Sequence, residues 1–518
     1  MVKFVTAKKV AVPLLLFFLS AFIITFQSCK KKRSEIANAL FKKTHNKVFK
    51  EFTPEGYRAV FKQVFDAEKP KLSHANFIED WYQKDHFEPI FVLNHLFNGD
   101  LSKVHDNYLM HAADHGLSPQ IFHADELSAA IEKFEDRSHI KTIDEAYRDM
   151  AELEISATNS LIDYSNALQY GVVNPKYIYQ RYSMATKRPD STSMSAVFHI
   201  GDMQSYMEGL QPTNPQYVAL QKALKNNFEE KGFSGEECKR MILVNLERLR
   251  WRNKPYEDKY VVVNIPDYML NVVDSGKSVL KMKVCVGQGR NVDNKNTLAA
   301  YNDTCKVDKP GEHETPLLNS LIYGVEVNPV WNIPRSIANK EIIVEAAKDK
   351  FYLGNNNIDV YKDDKLVENP EDIDWTNITK ENLPYHFKQE PGSSNSLGLI
   401  KFIFDNNSSI YLHDTPVKWV FSQKMRAVSH GCIRLGDPKG LAQNLFGDGD
   451  RFKTISDDMG QDNPDPTTIY LPKKTPVYIT YVTCWADEDG KLQFRNDVYG
   501  LDIVLYERLQ KILHPGEN

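Results

Sequence analysis

The sequence predicts an α+β protein in which a helical N-terminal scaffold is followed by a mixed, β-rich domain. Apolar residues recur at helical spacing in the first half, most regularly from Ile143 to Leu161. From about residue 255, short β-branched runs replace that pattern. In the run Lys277–Val286, apolar and polar residues alternate with the period of a strand that buries one face. A chain of 518 residues is also too long for one ordinary domain.

Ahead of the helical half, residues 1–28 have the composition of an export signal. A basic start leads into an apolar run from Ala11 to Phe26, which is followed by Ser28-Cys29. A small residue directly before a cysteine at the end of such a run resembles a bacterial lipoprotein cleavage site. Residues 1–28 are therefore predicted to be a signal peptide and Cys29 the lipidated first residue. The alternative is an uncleaved membrane anchor. Both predict a body exported to the cell envelope and held at a membrane, on its periplasmic face.

The helical scaffold is predicted to extend over residues 34–250, divided by short Pro and Gly breaks. Ser234 and Glu237 have the spacing of a capping box and predict a helix that ends near Trp251. Four apolar side chains of that helix are predicted to face inward: Met241, Ile242, Leu246 and Leu249.

The β-rich domain is predicted at residues 255–485. Its first strands are predicted at Tyr260–Ile265, Tyr268–Val273 and Lys277–Val286, and later strands at 322–327, 398–404, 409–412 and 477–483. A polar stretch rich in Asp, Asn and Lys suits an inserted lid at about 336–392 better than the core of a sheet. Residues 486–518 are predicted to form a C-terminal extension.

Composition and cysteine spacing argue against several classes of function. The formal net charge is -5, and it is -8 without residues 1–28, which hold three lysines and no acid. A mildly acidic body does not favour nucleic-acid binding. The six cysteines contain no C-x-x-C pair and no metal-ligand spacing, so no cysteine-held metal site is predicted. The Glu312-His313-Glu314 loop is interpreted as solvated. Cys285 and Cys305 could form a disulfide in an exported protein, although nothing in the sequence requires one.

One segment carries the residue types of a nucleophilic site. A strand ends near His413, and sixteen residues later comes Ser429-His430-Gly431-Cys432-Ile433-Arg434. A thiol attacks as its thiolate and needs a base or cation nearby, and His413 and His430 are the imidazoles close in sequence. Gly431 leaves room for a carbonyl substrate, and the amides of Gly431 and Cys432 could stabilise an oxyanion. Arg434 suits a substrate carboxylate. The pattern predicts acyl transfer through a thioester.

These residues, with His413 at this distance, resemble the signature of the YkuD-type L,D-transpeptidase catalytic domain. Other segments resemble the larger periplasmic branch of that family, which has an N-terminal helical scaffold: Asn245–Trp251, Val263–Tyr268, Asn328–Ile337 and Gln389–Gly398. The resemblance implies that Cys432 is the nucleophile and His413 the general base. It implies an oxyanion hole around Gly431, joined by the Tyr411 hydroxyl, with Ser429, His430 and Arg434 orienting substrate.

The residues themselves leave some of these roles open. Tyr411 could simply pack in its strand, His430 could make structural hydrogen bonds, and Arg434 could pair with Asp437. Asp414 stands where many members have glycine, and it could orient His413 through its carboxylate or only through its backbone carbonyl.

The resemblance implies a peptidoglycan L,D-transpeptidase of cell-wall biogenesis that needs no cofactor. Cys432 would attack the L-centre carbonyl of diaminopimelate in a tetrapeptide donor stem, and an acceptor stem's amine would resolve the thioester. Carbapenem-type β-lactams are implied as covalent inhibitors. Two alternatives remain: an L,D-carboxypeptidase, in which water resolves the thioester, and a non-catalytic envelope-binding lipoprotein. A complete peptidoglycan-binding module is not predicted, because only Gln216–Glu237 occupies its place.

Overall fold

The computed structural model describes residues 34–253, 257–289, 307–461 and 465–515. The predicted signal peptide with Cys29 lies outside these residues, and so does Cys305 of the possible disulfide. Among the helices of the described ranges, none is both long enough and apolar enough to cross a bilayer.

The N-terminal half is helical, as the spacing of its apolar residues predicts. Its α-helices are Glu35–Thr44 (α1), Pro54–Glu68 (α2), Ala75–Lys84 (α3), Asp100–Val104 (α4), Ala124–Glu135 (α5), Ile143–Tyr170 (α6), Pro175–Ile178 (α7), Ser191–Ser195 (α8), Met203–Leu210 (α9), Pro215–Lys225 (α10) and Gly235–Arg250 (α11). Short 3₁₀ and π turns connect several of them, and two short strands, Tyr182–Ser183 (β1) and Thr186–Lys187 (β2), lie between α7 and α8.

Helix α6 is the centre of this half. It begins with a capping box in which the Thr142 hydroxyl accepts from the Glu145 amide and the Glu145 carboxylate accepts from the Thr142 amide. Helices α2 and α5 pack along it, so most of its side chains are buried. Its buried Glu154 accepts hydrogen bonds from the Val92 amide (2.7 Å) and the Tyr82 hydroxyl (2.9 Å). The other helices are therefore anchored to α6 by both apolar and polar contacts.

The C-terminal half is built mainly from strands. They are Arg252–Asn253 (β3), Lys259–Asn264 (β4), Met269–Asp274 (β5), Lys277–Gly287 (β6), Leu317–Val327 (β7), Trp331–Asn332 (β8), Ile358–Lys362 (β9), Lys365–Leu366 (β10), Tyr385–Gln389 (β11), Ile400–Phe404 (β12), Leu412–His413 (β13), Ala427–Ser429 (β14), Ile433–Leu435 (β15), Thr467–Thr480 (β16), Cys484–Ala486 (β17) and Leu492–Phe494 (β18). The helices are Arg335–Ile337 (α12), Ile343–Lys348 (α13), Tyr352–Asn355 (α14), Pro438–Phe446 (α15), Asp450–Asp458 (α16) and Leu501–Leu513 (α17).

The main sheet is mixed and closes on itself. Its strand order is β7-β12-β13-β15-β6-β5-β4-β16, and β16 also pairs with β7. The pairs β13–β15, β4–β16 and β14–β6 are parallel, whereas most others are antiparallel. The inward side chains form one apolar core that includes Val263, Leu270, Phe402, Leu412 and Ile433. The predicted α+β class with a mixed, β-rich second half is confirmed.

The predicted strands are all present, with different ends. The strand predicted at 409–412 is only Leu412–His413, because Ser409 has a φ of 52°, which a β-strand does not accommodate. The strand predicted at 477–483 begins ten residues earlier, at Thr467, and ends at Thr480.

The stretch predicted as a lid at about 336–392 folds around a small core of its own. Strands β10, β9, β11 and β8 form a four-stranded sheet, and Trp375, Phe387 and Val360 are buried beside it. Its strands lie outside the main sheet and form a second, smaller sheet that the polar composition did not predict, while its role as a lid stays a prediction. We call residues 331–389 the insertion.

Helix α11 joins the two halves. The predicted capping box is present, since the Ser234 hydroxyl accepts from the Glu237 amide and the Glu237 carboxylate accepts from the Ser234 amide. Near its end, buried Glu247 accepts from the Val173 amide (2.7 Å), the Trp251 indole (3.1 Å) and both Nε and Nη2 of Arg250. This carboxylate therefore ties α11 to the loop after α6.

The predicted C-terminal extension belongs to the same joint. Helix α17 packs on α11, and Arg248 of α11 forms an ion pair with the buried Asp502 of α17. Strand β17 lies against α10 and α11, where Cys484 and Cys238 are both buried. Residues after 486 thus complete the contact between the two halves.

We expect Glu247→Ala to lower the free energy of unfolding by about 3–5 kcal/mol, because it leaves the buried Arg250 guanidinium without its counter-charge. Urea unfolding followed by circular dichroism measures this change. Glu236→Ala on the same helix is the control, since its exposed ion pair with Arg240 contributes about 1 kcal/mol or less. Equal losses in the two variants would contradict the role assigned to Glu247.

Candidate active site

The two residues predicted as nucleophile and base are brought together by two adjacent strands. Strand β13 pairs in parallel with β15, so that Leu412 lies opposite Ile433 and His413 opposite Arg434. The Ile433 amide donates to the Tyr411 carbonyl at 2.9 Å, which fixes this register just before the strands begin. Cys432 directly precedes β15, and both Cys432 and His413 line one cavity.

The turn before Cys432 is held by its own side chains. Gly431 has a φ of 118°, a conformation that residues with a Cβ rarely adopt. The Ser429 hydroxyl accepts from the Gly431 amide at 3.2 Å and donates to the Cys432 carbonyl. The resulting catalytic turn, Ser429–Cys432, presents the thiol at the end of β14 and the start of β15.

Residues far away in the sequence support this turn from behind. The Thr315 hydroxyl donates to the Gly431 carbonyl and accepts from the Gly287 amide, both at 2.8 Å. The Tyr499 hydroxyl accepts from the Thr315 amide (3.2 Å) and donates to the Gly287 carbonyl (2.7 Å). Thr315 and Tyr499 are the residues that sequence reasoning missed, because each acts through a contact between distant segments that leaves no local pattern.

The ring of His413 is oriented by main-chain carbonyl oxygen. Its Nδ1 lies at the Asp414 carbonyl, and a carbonyl only accepts, so Nδ1 carries the hydrogen and Nε2 the lone pair in the neutral ring. The Asp414 carboxylate instead accepts from the Leu399 amide (3.0 Å) and from Lys418. The Asp414 side chain also packs closely against Gly398. A Cβ at that position would lie 2.5 Å from the Asp414 side chain, and the φ of 62° there also favours glycine. The question left open by the sequence is thereby answered in favour of the backbone carbonyl.

Burial keeps the side chains of the predicted base and nucleophile neutral at neutral pH. Removal of the ring from water, with the Arg434 guanidinium nearby, lowers the pKa of His413 to about 4. Burial also raises the pKa of the Cys432 thiol. The Tyr411 amide, Arg434 and Lys401 lower that pKa, but by less than burial raises it. The resting pair is therefore a thiol and an uncharged imidazole, and the imidazole can accept a proton.

The cavity has a volume of about 630 Å³ and three walls of different origin. The main sheet contributes His413, Cys432 and Arg434, and the insertion contributes Ile337, Lys340 and Glu341 among others. The scaffold half contributes Arg181. Among the described residues the buried Nε of Arg434 has no hydrogen-bond partner, whereas Asp437 caps α15 by accepting from the Gly440 amide. The guanidinium is thus not engaged by the acid that the sequence offered as its alternative partner.

Some predicted substrate residues have other contacts. His430 donates through Nε2 to the Glu341 carboxylate of the insertion, and its ring packs edge-on against His313 at 4.6 Å. Tyr411 does not line the cavity, and the Lys401 ammonium lies 5.2 Å from its ring centroid. The Gly431 amide and the Ser429 hydroxyl are occupied within the turn. The oxyanion roles of the Gly431 amide and the Tyr411 hydroxyl therefore stay predictions.

Comparison with known proteins places this site in a family. Residues 258–479 match the L,D-transpeptidase catalytic domain (YkuD), and residues 76–224 match a scaffold domain. A protein of Haemophilus influenzae, provisionally named an L,D-transpeptidase, is 30% identical over 261 residues. That similarity covers 50% of this chain and 48% of the relative, so the chain matches about half the length of the curated protein. Residues 258–479 therefore belong to the YkuD-type L,D-transpeptidase catalytic domains, and residues 76–224 belong to the scaffold domains.

Proposed function

We propose that this protein is a peptidoglycan L,D-transpeptidase that links stem peptides through a thioester on Cys432. The observation that carries the proposal is a single cavity containing the half-buried Cys432 thiol, the buried His413 imidazole and the Arg434 guanidinium. The family match of residues 258–479 and the name of the Haemophilus influenzae relative support the same class of reaction.

In the proposed first step the Cys432 sulfur attacks the carbonyl at the L-centre of diaminopimelate in a donor tetrapeptide. His413 Nε2 accepts the thiol proton as the C–S bond forms. The Cys432 amide, for which the described part of the chain supplies no acceptor, is the proposed donor to the oxyanion. The C–N bond to the terminal D-alanine then breaks, and the His413 imidazolium returns the proton to the leaving amine.

In the proposed second step the side-chain amine of a second diaminopimelate attacks the thioester. His413 takes a proton from the attacking amine and returns it to the sulfur as the C–S bond breaks, so that Cys432 leaves as the thiol. Arg434 supplies a planar, permanently charged group for a carboxylate of either stem. Water in place of the amine would give the carboxypeptidase reaction, and the product distinguishes the two.

We also propose where in the cell this protein acts. Residues 1–29 are proposed to export the chain and attach it by lipidated Cys29, so that the cavity meets peptidoglycan at the periplasmic face of a membrane. Carbapenems are proposed to acylate Cys432, because their strained amide carbonyl can take the place of the donor carbonyl in the first step.

Incubation of the full-length protein, purified in detergent, with tetrapeptide muropeptides is expected to give dimers joined through two diaminopimelate residues. Mass spectrometry identifies them. Cys432→Ala is expected to give no dimer above the uncatalysed background, since no other thiol lines the cavity among the described residues. His413→Ala is expected to lower the rate by about 10²–10⁴-fold, the usual contribution of a general base.

Cys238→Ala is the matched control, because it removes a buried thiol on α11 away from the cavity and should keep wild-type product ratios. Tripeptides without dimers would replace transfer by hydrolysis. Failure of the wild type to form any product or any acyl-enzyme would favour the envelope-binding alternative.

The acid limit of Cys432 acylation by a carbapenem is expected near pH 4, well below the usual histidine range. This limit follows from the lowered pKa of His413, because only the neutral ring can act as the base. A pKa of about 4 keeps the ring neutral down to that pH. The dependence of the acylation rate on pH, followed by intact-protein mass, measures this limit. A half-maximal rate near pH 6.5 would contradict it.

Alkylation of Cys432 by iodoacetamide gives the complementary measurement. Because burial raises the pKa of the thiol, the thiolate in a His413→Gln variant is expected to form only above the usual cysteine range. Fast alkylation at neutral pH would instead indicate a resting thiolate.

A further inference from the structure

The wall of the active-site cavity includes a side chain from the scaffold half. Arg181 lies between α7 and β1, and it lines the same cavity as Cys432 and His413. Its position is fixed beside the main sheet, because β1 pairs in parallel with β7 with Tyr182 opposite Leu317. The Arg181 carbonyl also accepts from the Leu317 amide at 2.9 Å.

The guanidinium of Arg181 holds both ends of one short segment. Nη1 donates to the Glu314 carbonyl at 2.6 Å, and Nη2 donates to the Glu312 carbonyl at 3.0 Å. A planar group with two diverging donors suits two carbonyls that lie two residues apart, and a lysine ammonium lacks this fixed fork. Arg181 therefore fixes the position of segment Glu312–Glu314.

That segment lies directly against the catalytic turn. The His313 ring packs edge-on against the His430 ring at 4.6 Å, and a Cβ placed on Gly431 would lie 3.6 Å from the His313 carbonyl oxygen. The next residue, Thr315, donates to the Gly431 carbonyl. The segment also reaches the insertion, because Glu312 forms an ion pair with Lys340.

We propose that Arg181 is a positioning residue for the acylation of Cys432, supplied by the scaffold half. It holds Glu312–Glu314 against His430 and Gly431. In this way it keeps the Cys432 thiol oriented for attack on the donor carbonyl. The inference rests on the proposed transpeptidase function and extends it, because it makes the scaffold part of the active site. Geometry of this kind affects the rate of the chemical step more than the binding of substrate.

The neighbouring Gln180 provides a matched control. Its backbone N–H donates to the Asp308 carboxylate at 2.6 Å, and its side-chain Nε2 donates to the Asp308 carbonyl at 2.8 Å. Gln180 therefore joins the same two parts of the chain without a hydrogen bond to segment Glu312–Glu314. Gln180→Ala removes the side-chain bond to Asp308 and keeps the backbone bond, so it weakens the joint without touching segment Glu312–Glu314. A role limited to holding the halves together would lower kcat in Gln180→Ala as well as in Arg181→Ala.

The first test compares Arg181→Ala, Arg181→Lys and Gln180→Ala in the full-length protein. For tetrapeptide muropeptides, Arg181→Ala is expected to lower kcat by about 10²-fold with KM within about threefold of the wild type. Arg181→Lys should recover part of that loss, since an ammonium can reach one carbonyl. Gln180→Ala should keep wild-type kcat. Equal kcat in Arg181→Ala and the wild type, or an equal loss in Gln180→Ala, would overturn the inference.

A second measurement does not depend on turnover. Hydrogen exchange followed by mass spectrometry is expected to show faster exchange in peptides covering 307–316 and 427–435 in Arg181→Ala and Arg181→Lys, and not in Gln180→Ala. If Arg181→Ala does not fold, Arg181→Lys gives both readouts. Unchanged exchange in the folded Arg181 variants would overturn the inference. An inactive wild type with the expected exchange pattern would refute the proposed function and leave the positioning by Arg181 supported.

Discussion

The arrangement of the site depends on the parallel pairing of two very short strands, β13 and β15. Side chains alternate between the faces of a strand, so a slip of one residue would move His413 to the opposite face from the cavity. A parallel pair also requires a crossover connection, and here the crossover carries β14 and the catalytic turn. The neighbours of these strands, β12 and β6, hold each of them from the other side. The closed sheet therefore fixes the separation of base and thiol.

The low pKa of His413 and the high pKa of Cys432 have one physical origin, the removal of both groups from water. A thiol is much less reactive toward oxidants than a thiolate. In an exported protein, a resting neutral pair would protect the nucleophile in an oxidising compartment. The proton would move to His413 only when a bound carbonyl makes attack favourable.

Features that depend on local sequence were predictable, and features that depend on distant contacts were not. Residues within a few positions of one another predict the capping box of α11 and the alternation of β6 from Leu280 to Val284. Beyond that point the alternation fails, because Cys285 is buried. The joint location of Cys432 and His413 was predicted by motif spacing. Thr315, Tyr499 and Arg181 could not be predicted, because they reach the turn or its supporting segment across 116 to 184 positions of sequence.

The catalytic turn and the insertion both use their polar residues in ways that composition alone does not predict. Ser429 and Gly431 carry the polar groups expected at a substrate site, but a turn with a φ of 118° must satisfy its own amides and carbonyls first. The insertion shows the converse case. Its many charged residues lie on the surface of a small sheet, and few apolar residues, such as Trp375 and Phe387, suffice for its core.

This core bears on how the thioester would be resolved. The insertion has buried residues of its own, so it keeps its shape better than an extended flap would. Two ion pairs join it to the rest of the cavity wall: Glu341 with His430, and Lys340 with Glu312. Transfer to an amine competes with hydrolysis only where the acceptor is held and water is limited. Both ion pairs are partly exposed and each contributes about 1 kcal/mol or less, so this wall keeps its place beside Cys432 chiefly through its own buried core.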